Sequence, residues 1–195
     1  MARLRLDVGR TEHTPPEFCE ASAKVAYELG MVAHTARALH YYRVPESPSL
    51  ECQLIYNALI HSFLLGIRNL YEFLWGGQSD GIHAKAFVEP GKWTAKRPKF
   101  RKGEHWKPMN HTGNPVDGQD LIKLIQTRLA HLSWKRVSEG KVAWFVLPIA
   151  AEFVAPLSTF VSQVAADRLS PDLCTAVQEL ADFVCSIELS AKKSR

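Results

Sequence analysis

The stretch from Ser47-Pro48 to Gly76-Gly77 has no proline after Pro48 and one glycine, Gly66, and apolar residues cover most of its helical projection. A helix of that length, apolar round most of its circumference, cannot stand alone in water and must be covered by other elements. The punctuation predicts that it begins near Ser47-Pro48, runs to Trp75 and stops at Gly76-Gly77.

Four further segments supply the cover. The first opens at Thr14-Pro15-Pro16-Glu17 and runs to about residue 42. Thr14 can cap it, and proline suits a first turn, where its missing N–H would have no partner. Phe18, Val25, Leu29, Val32, Ala36 and Leu39 form its apolar stripe. The third helix is predicted over residues 117–137, with Leu121, Ile122, Ile125, Leu129 and Leu132 on its buried face and Gly140 beyond its end. The fourth covers residues 142–167, beginning or kinking at Pro148 and kinking at Pro156. Ser170-Pro171-Asp172 opens the fifth, which carries Leu173, Val177, Leu180, Val184 and Ile187. No run reads as a strand flanked by turn signals. The expectation is an all-α fold: one domain over residues 1–195, a bundle of about five helices, with an N-terminal extension (1–13) and a flexible tail (190–195).

Composition agrees with a soluble globular chain: 195 residues, 46% hydrophobic and 23% charged. Cys19, Cys52, Cys174 and Cys185 form no C-x-x-C pair, so they read as reduced, small hydrophobic side chains in a cytoplasmic protein. The start, MARLRLDVGR, lacks the apolar core of a secretory signal. Residues 142–161 are long and apolar enough to span a bilayer. Glu152 at their centre would cost roughly 2.5–3.5 kcal/mol there. With Pro148 and Pro156 beside it, this favours a buried core helix and no membrane.

Between the second and third helices lie residues 76–116, a long loop without clear periodicity. Loops of that length within a compact domain tend to be functional or mobile. Lys85, Lys92, Lys96, Arg97, Lys99, Arg101, Lys102 and Lys107 stand there against Asp80, Glu89 and Glu104, a local excess of +5 in a chain whose net charge is +4. Trp93, Phe100 and Trp106 are interleaved. Cations can neutralise phosphates while aromatics stack on bases; alternatively the aromatics anchor a solvated excursion to the bundle. Lys96, Arg97, Lys99, Arg101 and Lys102 are the candidate nucleic-acid contacts.

A second polar feature lies on the second helix. Asn57, His61, Arg68 and Glu72 fall within an arc of about 60°, with Gln53 beside them and Asn69 further round. So narrow a stripe is either a thin exposed edge or a set of groups that must find partners across a cleft. On the third helix His131 lies beside Arg128 and Lys135, while Arg136 projects over the apolar face and wants a carboxylate, for which Glu72 is available.

LLGIRNLYEFLWG (residues 64–76) and RLAHLSWKR (residues 128–136) resemble motifs of a family of uncharacterised bacterial helical proteins. Those motifs are S-F-L-x-x-x-R-N-L-x-[DE]-F-[LF] and K-x-x-A-H-L-[ST]-[YW]-x-R, and the likeness spans about residues 54–165. Ser62, Phe63, Leu64, Arg68, Asn69, Leu70, Glu72 and Phe73 fit the first; Ala130, His131, Leu132, Ser133, Trp134 and Arg136 fit the second. Gly66 stands where histidine is common in the first motif. The Arg-Asn pair and the bundle also look distantly like the HEPN superfamily, many of whose members are metal-independent ribonucleases with an R-N-x-x-x-H motif. Phe73 occupies that histidine's position here, so His131 would have to replace it from another helix.

Two readings follow. In the first the chain is a noncatalytic module that binds a partner, RNA or protein, with a homodimer in scope; Glu72, Arg136, Asn69 and Ser133 then form a structural polar network. In the second it cleaves RNA: His131 is general base on a 2′-OH, Arg68 stabilises the developing phosphate charge and Asn69 orients the scissile group. Neither calls for a metal or cofactor, and no closely spaced His/Asp/Glu set, P-loop, Rossmann glycine pattern or nucleophile elbow occurs.

Overall fold

The structure, a computed structural model, describes residues 13–42, 47–76, 81–108, 121–129 and 142–193. Its first helix, α1 (Pro15–Tyr41), starts as its sequence dictates. The Glu17 carboxylate turns back to accept from the Thr14 backbone N–H (2.7 Å) and the Thr14 hydroxyl (3.0 Å). Phe18, Val25, Leu29, Val32 and Ala36 are buried and Leu39 packs against the core, so the stripe faces inward.

Ser49 caps the next helix, α2 (Leu50–Trp75), by accepting from Cys52 N–H. The predicted start at Ser47-Pro48 is therefore two residues early. Gly66 faces α1 at close range: a Cβ there would lie 2.5 Å from Val32 Cγ2. A short helix α3 (Ala84–Phe87) follows, then α4 (Leu121–Leu129), which lies against α2 with Leu121, Ile122, Leu124 and Ile125 buried. Helices α5 (Val146–Gln163) and α6 (Pro171–Lys193) close the bundle, with a 3₁₀ turn (Ala166–Arg168) between them. At the start of α6, Ser170 Oγ accepts from Asp172 N–H and Ser170 N–H donates to the buried Ser22 hydroxyl, tying α6 to α1. Helix α1 is the central element, packed on α2, α5 and α6.

Two further expectations are corrected. A small antiparallel ribbon is present, where no strand was foreseen: β1 (Trp106–Pro108) pairs with β2 (Val142–Trp144) in the register Trp106↔Trp144, Lys107↔Ala143, Pro108↔Val142. Three-residue strands carry too little alternation to be read locally; the pairing comes from docking the loop on the bundle. Because Val142–Trp144 is a strand, α5 begins at Val146 rather than at 142, and it ends at Gln163 rather than near 167. Pro156 lies inside α5 and is buried. The fold class stands as expected, all-α with this minor ribbon. Helices α2 and α5 are long and apolar enough, by length and composition, to cross a membrane. Here both feed the core, through Phe63, Leu64, Ile67 and Leu70 and through Ile149, Phe153, Leu157 and Phe160.

Candidate nucleic-acid interface

The basic segment is an extended strap over residues 92–102, laid across the C-terminal end of α2. An extended chain points successive side chains to opposite sides. Here Trp93, Ala95, Pro98 and Phe100 are turned toward the bundle and half-buried, while Lys92, Lys96, Arg97, Lys99, Arg101 and Lys102 are exposed. Inward anchors and outward cations thus share one short stretch.

Hydrogen bonds hold its path. Trp93 Nε1 donates to Leu74 O at 2.8 Å, and Trp75 Nε1 donates to Ala95 O at 3.0 Å. Arg97 Nη2 reaches Trp75 O at 3.0 Å. Helix α2 has no basic residue in its last turn, so Arg97 brings from the strap the positive charge that a helix C-terminus favours. Gln163 Nε2 donates to Thr94 Oγ1 at 3.2 Å, linking the strap to the end of α5. The Trp93 ring meets Phe160 edge-on at 6.0 Å, and Phe100 lies 6.1 Å from Phe153. With Trp106 only 3% exposed, the interleaved aromatics are occupied by the bundle rather than offered to bases.

Beyond Phe100 the chain turns sharply. Gly103 takes φ +87, a conformation that favours glycine, and His105 N–H returns to Arg101 O. The His105 side chain fills the turn at 3% exposure. Its Nδ1 lies 2.9 Å from Arg101 N and 3.3 Å from Arg101 O. The shorter contact, with an N–H that can only donate, makes Nδ1 the acceptor and places the ring proton on Nε2. Nε2 then faces Glu152 Oε1 at 3.4 Å. Both ring nitrogens are engaged, so His105 clamps the strap turn to α5 rather than standing free as a base. Sequence reasoning missed this pair, although Glu152 alone in an apolar helix was the signal that a partner was needed.

The five candidate contacts lie on this one strap segment, exposed. Arg101 is 3.4 Å from Glu104 and Arg97 is tied to Trp75 O. The polar stripe of α2 divides. Gln53, Asn57 and His61 are exposed, whereas Arg68, Asn69 and Glu72 are half-buried. Asn69 Nδ2 donates to Glu28 Oε2 of α1 at 3.1 Å. Arg68 Nε is buried and makes no hydrogen bond among the described residues. The Glu72 carbonyl receives His83 Nδ1–H at 3.1 Å. His131, Ser133 and Arg136 lie outside the described residues. Among the described residues no three His, Cys, Asp or Glu side chains converge as a metal site would require.

Compared with known proteins, the chain matches no family model, no curated protein and no solved structure.

Proposed function

We propose that this protein is a noncatalytic helical module that binds the phosphate backbone of single-stranded RNA through the strap at residues 92–102. The observation that carries the reading is the outward row of exposed cations on a backbone pinned to α2 and α5. A backbone fixed in advance loses little loop freedom when a polyanion docks. In an extended chain Lys96, Lys99 and Arg101 are spaced by at most roughly 7–10 Å, and each can release counterions from a neutralised phosphate. The inward aromatics leave no stacking platform on the strap itself, so the expected binding is independent of sequence and strongly dependent on salt.

The test is fluorescence anisotropy with a labelled oligouridine across a salt series. Wild type should bind at low salt, with log affinity falling by about 0.7 per neutralised phosphate for each unit of log salt. Replacing Lys96, Arg97, Lys99, Arg101 and Lys102 together by Gln should remove most of the affinity and flatten the slope while the fold remains by circular dichroism. Wild type that fails to bind at low salt, or a variant that binds unchanged, rejects the proposal. The same samples run on a denaturing gel should show intact RNA; cleavage abolished by His131→Ala would replace this reading with the nuclease one.

A further inference from the structure

A groove of about 700 Å³ opens between α1 and α2, away from the strap residues. Val25, Leu70 and Phe73 are its buried lining, and Tyr27 and Ile82 stand on it 68% and 42% exposed. Its size and mostly apolar lining match sites that take small molecules, in which a few polar groups fix orientation.

The polar groups are few enough to count by chemistry. Glu20 and Lys24 also line the groove and pair on its rim, Nζ to Oε1 at 3.4 Å, both largely exposed. Glu28 has a neutral partner only: the Asn69 amide donates to Oε2 at 3.1 Å, and no cation lies within 4 Å among the described residues. A carboxylate can only accept, so the Asn69 NH₂ faces it and the Asn69 carbonyl oxygen is left as a further acceptor. Glu20, Lys24 and Glu28 together leave the wall with one net negative charge, set beside apolar surface.

From this complementarity we infer that the groove binds a small amphiphilic cation: an apolar or aromatic body with one protonated amine. The body covers Leu70, Phe73 and Tyr27, and the ammonium donates to Glu28, a charge-assisted bond stronger than a neutral one. An anionic analogue of the same shape meets the Glu28 charge and is refused.

Titration of the full chain with tryptamine and with indole-3-acetate, followed by calorimetry and by shifts in melting temperature, tests this. Tryptamine should bind saturably and raise the melting temperature; indole-3-acetate should do neither. Glu28→Gln keeps an acceptor for Asn69 but removes the charge, and should weaken tryptamine at least tenfold. Ala23→Trp, which fills the groove from α1 and leaves Glu28 intact, should abolish binding. Equal binding of both compounds, unchanged binding by Glu28→Gln, or no saturable binding of tryptamine by the folded wild type overturns the inference. So does capture of a lysine-bearing amphipathic helical peptide in place of the amine, which makes the groove a protein-docking site.

Discussion

Gly66 and Val32 set the approach of the two longest helices: a Cβ on Gly66 would stand 2.5 Å from Val32 Cγ2, closer than side-chain atoms pack. In a helix interior alanine is otherwise favoured over glycine by about 1 kcal/mol. At this position the clash opposes that gain, because Val32 is fully buried and its β-branched side chain has little freedom to turn. Gly66→Ala should therefore destabilise the fold by roughly 1–3 kcal/mol. Adding Val32→Ala should recover part of that loss, although Val32→Ala alone is itself destabilising. Urea melts of the two single variants and the double variant check this; additive losses would show that the contact does not limit packing.

Trp93→Phe is expected to keep most of the ring packing against Phe160 but lose the indole N–H bond to Leu74 O. The stability cost should be about 1 kcal/mol. If strap order underlies RNA affinity, the same change should weaken oligouridine binding severalfold with no change in charge. Unaltered affinity in a variant shown by amide exchange to have a loosened strap would separate order from binding.

His105→Ala should cost roughly 1–3 kcal/mol, because it deprives the Arg101 N–H and the Glu152 carboxylate of their partner. Glu152→Gln should cost less, since that side chain is 38% exposed and can turn to water. A double-mutant cycle on the two positions should give a coupling energy above zero; zero coupling would mean that the pair is only a contact.

At the start of α1, the backbone N–H of Thr14, its hydroxyl and then nearby His13 hold the Glu17 carboxyl below the usual carboxylate range. A pKa lowered by folding contributes stability that is present above the unfolded-state value and is lost as pH falls through the folded one. Wild type should therefore exceed Glu17→Gln in stability near neutral pH, and the difference should vanish under acid conditions below that range. Thermal melts of both proteins at neutral and strongly acid pH read this; a difference that persists in acid would exclude the carboxylate as its source.

What the sequence by itself determined is the long helices, though not where each one starts, and their inward faces. Thr14-Pro15-Pro16-Glu17, Ser49 and Ser170-Pro171-Asp172 start helices through bonds to residues within three positions. The spacing of Phe18, Val25, Leu29, Val32 and Ala36 buries one stripe whatever partner covers it. Lys96, Arg97, Lys99, Arg101 and Lys102 were likewise legible as a cationic run. Tertiary structure alone decided that their neighbours Trp93 and Phe100 turn inward, because the acceptor at Leu74 and the ring at Phe153 belong to other elements. It also decided the β1–β2 ribbon, the His105–Glu152 clamp and the Asn69–Glu28 bond, the latter two joining residues 47 and 41 positions apart. A cap is specified by neighbours that the chain cannot separate. A pair across the bundle exists only once packing has brought its members within reach, and periodicity places each on a face without naming what it meets there.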